Sequence, residues 1–309
     1  MRRKVIIDCD PGVDDALALI LAFHSAELEV KAITGVSGNV PLSLVFQNIQ
    51  KVLSLIQPQQ RPLIAKGSDR PLKEKPAYAY SVHGKDGLGG AKIEERGGTE
   101  YWKVPPLRGE ELIIEMARQY PNEMTLIATG PLTNLALGIH RDPEGMRRFE
   151  EIIVMGGAVR KRGNITPHAE FNFFVDPMAA QTVFESGLPV TLVPLDVTHQ
   201  VFLTAEMLEV RLKPLDNALS HFVMEATGYD VTTHQFRGGS ERFFLHDPLA
   251  VGVVIDPTLV RKERLSLRVE TEEGEHYGGI SEMSGGPEAE VCLDVDSDRF
   301  LQLFLSRVG

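Results

Sequence analysis

Cysteine is nearly absent from this chain. Its 309 residues include two, Cys9 and Cys292, which lie far apart and match no zinc-binding or redox spacing, so a reducing setting suits them best. Positive charge is also in deficit. Lys and Arg total 32 against 43 Asp and Glu, a net charge of −11, and no long basic run occurs. A nucleic-acid backbone needs clustered cations, so no nucleic-acid partner is expected. The acidic surplus is compatible with a cation site or with solubility alone. Long apolar runs are missing too: no segment approaches the roughly 20 residues of a membrane span. The basic start Met1-Arg2-Arg3-Lys4 leads into a short strand ending at Asp8 and Asp10, where a secretory core would stay uncharged. These absences predict a soluble, cytoplasmic protein that makes no membrane contact.

What remains suits a packed core: 43% of residues are hydrophobic and 24% charged. The length fits one large α/β domain or two ordinary ones. No repeat, low-complexity segment or linker stands out, which favours a single domain over residues 1–309. Short apolar runs alternate with helical patterns. Val5–Ile7, Val30–Val36, Met124–Ala128, Ile152–Met155 and Val190–Pro194 read as strands. Asp14–His24, Leu42–Ile56, Glu110–Gln119, Leu132–His140 and Pro177–Ser186 read as helices. The alternation predicts βαβ units, an open, Rossmann-like fold with a mostly parallel central sheet and helices on both faces. Near the C-terminus a small antiparallel addition is expected from Leu265–Val269 and Val291–Val295, closed by a helix over Asp298–Ser306. Lys66–Gly98 and Gly228–Leu245 are long, polar and Gly-rich, which makes them candidate lids.

The run Asp8-Cys9-Asp10-Pro11-Gly12-Val13-Asp14-Asp15 sets four carboxylates at the C-terminal end of the first predicted strand. In parallel sheets ligands bind beyond such ends. Crowded anions need neutralising, and calcium, with six to eight oxygen ligands, suits an oxygen-only set. The plainer alternative has Asp14 capping the helix and the others solvated. Ala128-Thr129-Gly130-Pro131-Leu132-Thr133-Asn134 repeats the theme after another strand, although by itself it is only a helix start. Asn164 to Pro177 carries Asn164, Glu170 and Asn172, amides and a carboxylate suited to a sugar or to an ordinary polar loop. Leu245-His246-Asp247-Pro248 opens an apolar helix, where an Asp is commonly just an N-cap.

Together these four segments resemble the inosine–uridine preferring nucleoside hydrolases over nearly the whole chain. The resemblance implies a calcium held by Asp10, Asp15, the carbonyl of Thr129, and Asp247. It implies a ribose site of Asp14, Asn39, Asn164, Glu170 and Asn172, with Met155 beneath the sugar. His83 matches a histidine placed near the nucleobase, and His246 one proposed to assist leaving-group departure. The implied activity is hydrolysis of the N-glycosidic bond of ribonucleosides, with Asp10 taking the proton of the attacking water. A homodimer or homotetramer is implied as well. Two other readings remain open here. An aspartate-nucleophile phosphatase also starts with Asp-x-Asp, although Val13 and the Asp14-Asp15 pair fit it badly. A non-catalytic nucleoside- or calcium-binding protein is the other.

Overall fold

A computed structural model of the chain describes residues 2–73, 75–93, 102–229 and 235–308. Part of each candidate lid, residues 74 and 94–98 in the first and 230–234 in the second, lies outside the described residues. The strands are β1 (Arg3–Cys9), β2 (Leu28–Gly35), β3 (Leu63–Lys66), β4 (Met124–Ala128), β5 (Glu151–Met155), β6 (Val190–Val193), β7 (Phe202–Thr204), β8 (Arg242–Phe244), β9 (Val260–Val269), β10 (Ile280–Glu282) and β11 (Glu288–Val295). Nine of them form one sheet in the order β10-β9-β11-β6-β5-β4-β1-β2-β3. From β3 across to β11 every pairing is parallel, and β9 and β10 then join antiparallel.

This order reverses direction at β1. The chain moves outward to β2 and β3, then returns to place β4 on the other side of β1. The crevice at such a reversal, beyond the strands' C-terminal ends, is where a ligand can enter between diverging connections. Asp8 and Cys9 end β1, and Thr129 follows β4 directly. The acidic run therefore sits at the reversal point.

The helix Val13–Phe23 is buried along almost its whole length. It packs against the helices His246–Ile255 and Ser297–Val308 as well as β2, and its apolar sequence reflects burial on all sides rather than on one stripe. The packing brings the first turn of Val13–Phe23, with Asp14 and Asp15, to the first turn of His246–Ile255, with Asp247.

The expected tail strands pair, but as parts of longer elements: Leu265 faces Ala289 and Val291 faces Glu263. The stretch Val260–Arg264 escapes a hydrophobic reading because its residues are only partly buried or exposed. The ribbon of β7 and β8 and the short helix Tyr80–His83 are also too short to show as periodic patterns. No helix among the described residues is long and apolar enough to cross a membrane.

Candidate active site

The floor of the site is built where β1 ends. Asp10 and Asp15 are wholly buried there. Pro11-Gly12 turns the chain, and Asp15 reaches back to accept from the Gly12 N–H at 3.0 Å. The helix is thus capped by Asp15, which leaves Asp14 free of that role. Thr129 Oγ1 donates to Asp15 at 2.7 Å, and the Asn39 side-chain amide donates to it at 3.1 Å. Asp10 accepts from the Asn39 backbone N–H at 2.6 Å through Oδ2. Its Oδ1 is buried without a hydrogen-bond partner. A Cβ on Gly38 would lie 2.0 Å from Asp10 Oδ2, and one on Gly130 2.7 Å from Oδ1. Both glycines are therefore needed for the backbone to close around this carboxylate. Asp8 serves the sheet instead, since its Oδ1 accepts from Thr34 and from Asn134 and so ties β1 to its neighbours.

Oxygen atoms of Asp14, Asp15 and Asp247 lie within 4.8 Å of one another, a grouping that could hold a metal ion. Asp14 takes the place in this group that the family resemblance assigns to Asp10. Asp10, turned onto the Asn39 N–H, still acts electrostatically on Asp247. No side-chain cap ties Asp247 to its helix start, so the plain N-cap reading of this residue fails. Burial pushes the carboxyls of Asp14 and Asp15 up to about 6, and like-charged neighbours add to the shift for Asp15. Burial and the same neighbours raise Asp10 and Asp247 further above the ordinary carboxylate range. A cation at this point would reverse the imbalance.

Above this floor opens a cavity of about 460 Å³. Asp14, Asn39, His83, Thr129, Met155, Asn164, Glu170, Asn172, His246 and Asp247 all line it. Of the site residues implied by the family resemblance, Asp10 and Asp15 are the two that do not line it. The Asn172 side chain donates to the Thr129 carbonyl at 2.8 Å, and so aims that carbonyl. Glu170 caps the helix Phe171–Val175 by accepting from the Asn172 and Phe173 N–H groups, and it also accepts from Gly157. Burial nevertheless pushes its carboxyl up to about 7. Asn164 Oδ1 accepts from the Phe171 N–H at 3.0 Å.

Glu170 is therefore both cavity wall and helix cap, where sequence suggested the wall alone. Glu170→Ala should lower stability by about 1–3 kcal/mol, because buried N–H groups lose their acceptor, and should lower activity as well. Asn172→Ala should cut turnover with little change in melting temperature. Thermal unfolding alongside activity per folded molecule separates the two; an unchanged melting temperature for Glu170→Ala would refute the cap.

Two histidines are among the residues of this wall. His83 Nδ1 accepts from the Val13 N–H at 3.1 Å, which leaves the ring proton on Nε2. Burial lowers its pKa to about 4, so its approach to Asp14, at 3.8 Å, is not an ion pair near neutral pH. His246 is likewise kept neutral, lowered to about 3 by burial and by the nearby His199 and His83. The rings of His199 and Phe244 flank it, at centroid distances of 5.5 and 5.6 Å. His199, Phe244, Phe236, Arg237 and Arg242 line the cavity too, and none was singled out from sequence. The run Pro194-Leu195-Asp196-Val197-Thr198-His199 follows β6 directly, so the strand-end rule that found Asp10 and Thr129 could have found His199.

Comparison with known proteins gives a consistent result. A family model described as inosine-uridine preferring nucleoside hydrolase matches residues 5–302. The chain is 36% identical to the pyrimidine-specific ribonucleoside hydrolase RihA of Salmonella gallinarum, covering 100% of this chain and 99% of that one. Among solved structures it resembles a plant nucleoside hydrolase, PpNRh1, at TM-score 0.90 and 30% identity, covering 100% and 99% of the two chains. It also resembles a purine-preferring ribonucleoside hydrolase from Gardnerella vaginalis, at TM-score 0.89 and 30% identity, covering 99% and 98%.

Proposed function

The chain belongs to the inosine-uridine preferring nucleoside hydrolases, enzymes that cleave ribonucleosides, and on that premise we propose a calcium-dependent hydrolysis of the N-glycosidic bond, giving free base and ribose. The observation that carries the metal dependence is the buried acidic group. Asp14, Asp15 and Asp247 converge with oxygen donors only, and Asp10 Oδ1 and Asp14 Oδ1 are buried without partners. Such a set fits a hard cation such as calcium. Asp10, Asp15, Asp247 and the Thr129 carbonyl would hold the ion, with Asp14 beside them facing the sugar. When bound, calcium supplies the charge that makes a water acidic enough to attack at neutral pH.

The remaining steps belong to the chain's own residues. Asp10 is the base that takes the water's proton, its orientation held by the Asn39 N–H. Asn39, Asn164, Glu170 and Asn172 bind ribose hydroxyls and orient the anomeric carbon, over Met155. Positive charge developing on the sugar ring, as in other glycoside hydrolyses, is favoured by the surrounding carboxylates. His83 and His246 serve the base, and His246 assists its departure. Attack in one step gives inversion with no covalent intermediate. Residues 1–309 act as one domain in this reading, supported by a sheet that takes strands from near both ends of the chain.

The test is a panel of purine and pyrimidine ribonucleosides assayed for reducing sugar, with and without a calcium chelator. Release of ribose that stops with chelation and returns with calcium is the expected result. Release of inorganic phosphate from phosphate esters, with no sugar from nucleosides, would overturn it.

A further inference from the structure

Thr198 takes no part in the mechanism above, yet it is wholly buried and its Oγ1 lies 2.8 Å from Nδ1 of His246. We infer that Thr198 is a positioning residue, one that fixes the His246 ring with Nε2 turned to the departing base. The inference rests on the reading of His246 as the group that assists departure.

Several features converge on this one ring. Thr198 ends the short helix Leu195–Thr198 after β6, and its own N–H donates to the Pro194 carbonyl at 3.1 Å. That helix is anchored through Asp196, which accepts from the Val159 and Arg160 N–H groups at 2.9 and 2.8 Å. Thr198 thus stands on fixed backbone. His246 follows β8, whose Phe244 faces Phe202 of β7 in the ribbon. The Leu245 N–H donates to the Val201 carbonyl at 3.0 Å, extending the ribbon to the residue before His246. Thr198, just before β7, and His246, just after β8, therefore meet at one end of the ribbon. Phe244 lies near-parallel to the imidazole at 26°, and His199 meets it edgewise at 61°. These contacts restrict tilt, but they do not distinguish the two ring nitrogens. Only the hydrogen bond at Nδ1 does that.

A hydroxyl suits this position. By donating to an unprotonated Nδ1 it leaves the ring proton on Nε2, on the side of the departing base, without adding a fixed charge. A carboxylate would only accept, and would add a further anion near the acidic floor. With Nδ1 occupied, Nε2 is the nitrogen left for the cavity that His246 lines. A ring free to flip would present Nδ1 instead, displaced from the leaving group.

The test compares Thr198→Val, Thr198→Ser and His246→Ala on uridine, inosine and p-nitrophenyl riboside. Thr198→Val should lower kcat on the two nucleosides about tenfold to hundredfold. It should leave KM, and turnover of the nitrophenyl substrate, within about twofold, since that leaving group departs as a stable anion. Thr198→Ser should restore the nucleoside rates. Ring nitrogen chemical shifts of His246, read by NMR in the metal-free protein, should report one tautomer in wild type and in Thr198→Ser, and a mixture in Thr198→Val. Equal losses on all three substrates in His246→Ala would remove the reading underneath, and the inference with it. A selective His246→Ala beside a Thr198→Val that matches wild type, or that loses equally on every substrate, would overturn Thr198 alone.

Discussion

Asp247→Ala should abolish turnover on every substrate, natural nucleosides and p-nitrophenyl riboside alike, by about 10³-fold or more, the scale of the several kcal/mol a metal ion contributes to a hydrolytic step. The effect should not depend on the leaving group, because Asp247 belongs to the group that would hold calcium rather than to the base end. Calcium retention should fall with it, measured by equilibrium dialysis. Stability offers an independent readout. Burial raises the pKa values of these carboxyls above those of an unfolded chain, so the metal-free fold binds more protons than the unfolded state. Its stability must then decline as pH rises through the raised values, about 6 for Asp14 and Asp15. A cation held by these carboxylates would offset the repulsion that appears there. The gain in melting temperature on adding calcium to wild type should therefore be larger at pH 8 than at pH 5.5, and should shrink in Asp247→Ala. A variant that still retained one calcium per chain, or hydrolysed any substrate at the wild-type rate, would exclude Asp247 from the metal set.

His246→Ala should behave in the opposite way across substrates. A purine or pyrimidine departs poorly as an anion, so loss of a residue that helps neutralise it should slow inosine and uridine by roughly 10²–10⁴-fold. The nitrophenyl riboside should be nearly unaffected. Adjacent residues would then differ in kind: one loss general, the other proportional to what the leaving group needs. The neighbours of His246 sharpen the expectation. Its ring is neutral near pH 7 and lies against the rings of His199 and Phe244, a wall on which a base could stack. If His246 served only as part of that wall, Ala would weaken binding of the nucleosides chiefly through KM. Rates at saturating substrate on all three compounds decide the matter, and uniform losses would leave it a packing residue.

The acidic run at Asp8–Asp15 could be read because a carboxylate cluster following an apolar strand has few structural uses. The strand-end rule then pointed to Thr129, and the family resemblance to Asp247. Even there the individual roles were not legible. Asp8, Asp10, Asp14 and Asp15 are equivalent in a sequence, and what separates them is partners: Thr34 and Asn134 for Asp8, the Gly12 turn for Asp15, the Asn39 N–H for Asp10. Apart from Gly12, those partners lie on other elements and become neighbours only through the strand order. The same limit applies to Glu170, whose capping of Asn172 and Phe173 is local, but whose hold on Gly157 depends on how β5 is placed. The long helices were legible from their periodicity. The three-residue strands β7 and β8 were not, since so few residues cannot express a period, and with β8 went Phe244. Strand β9, next to the edge strand β10, was half visible, because along it only Leu267 and Val269 are buried.

The return of the chain to β1 has a consequence for how the protein is made. β1 and the helix after it leave the ribosome well before β4, and at synthesis rates of about 5–20 residues per second they wait many seconds for it. Thr129, which closes the floor on Asp15, lies 114 positions downstream of it. Until β4 arrives, β1 keeps an unpaired edge and the apolar helix Val13–Phe23 has no partner from the second half of the chain. Asp247 comes later still. Capture of a metal ion by Asp14, Asp15 and Asp247 would thus be a late event, and a nascent chain presents an adhesive strand edge in place of a metal site.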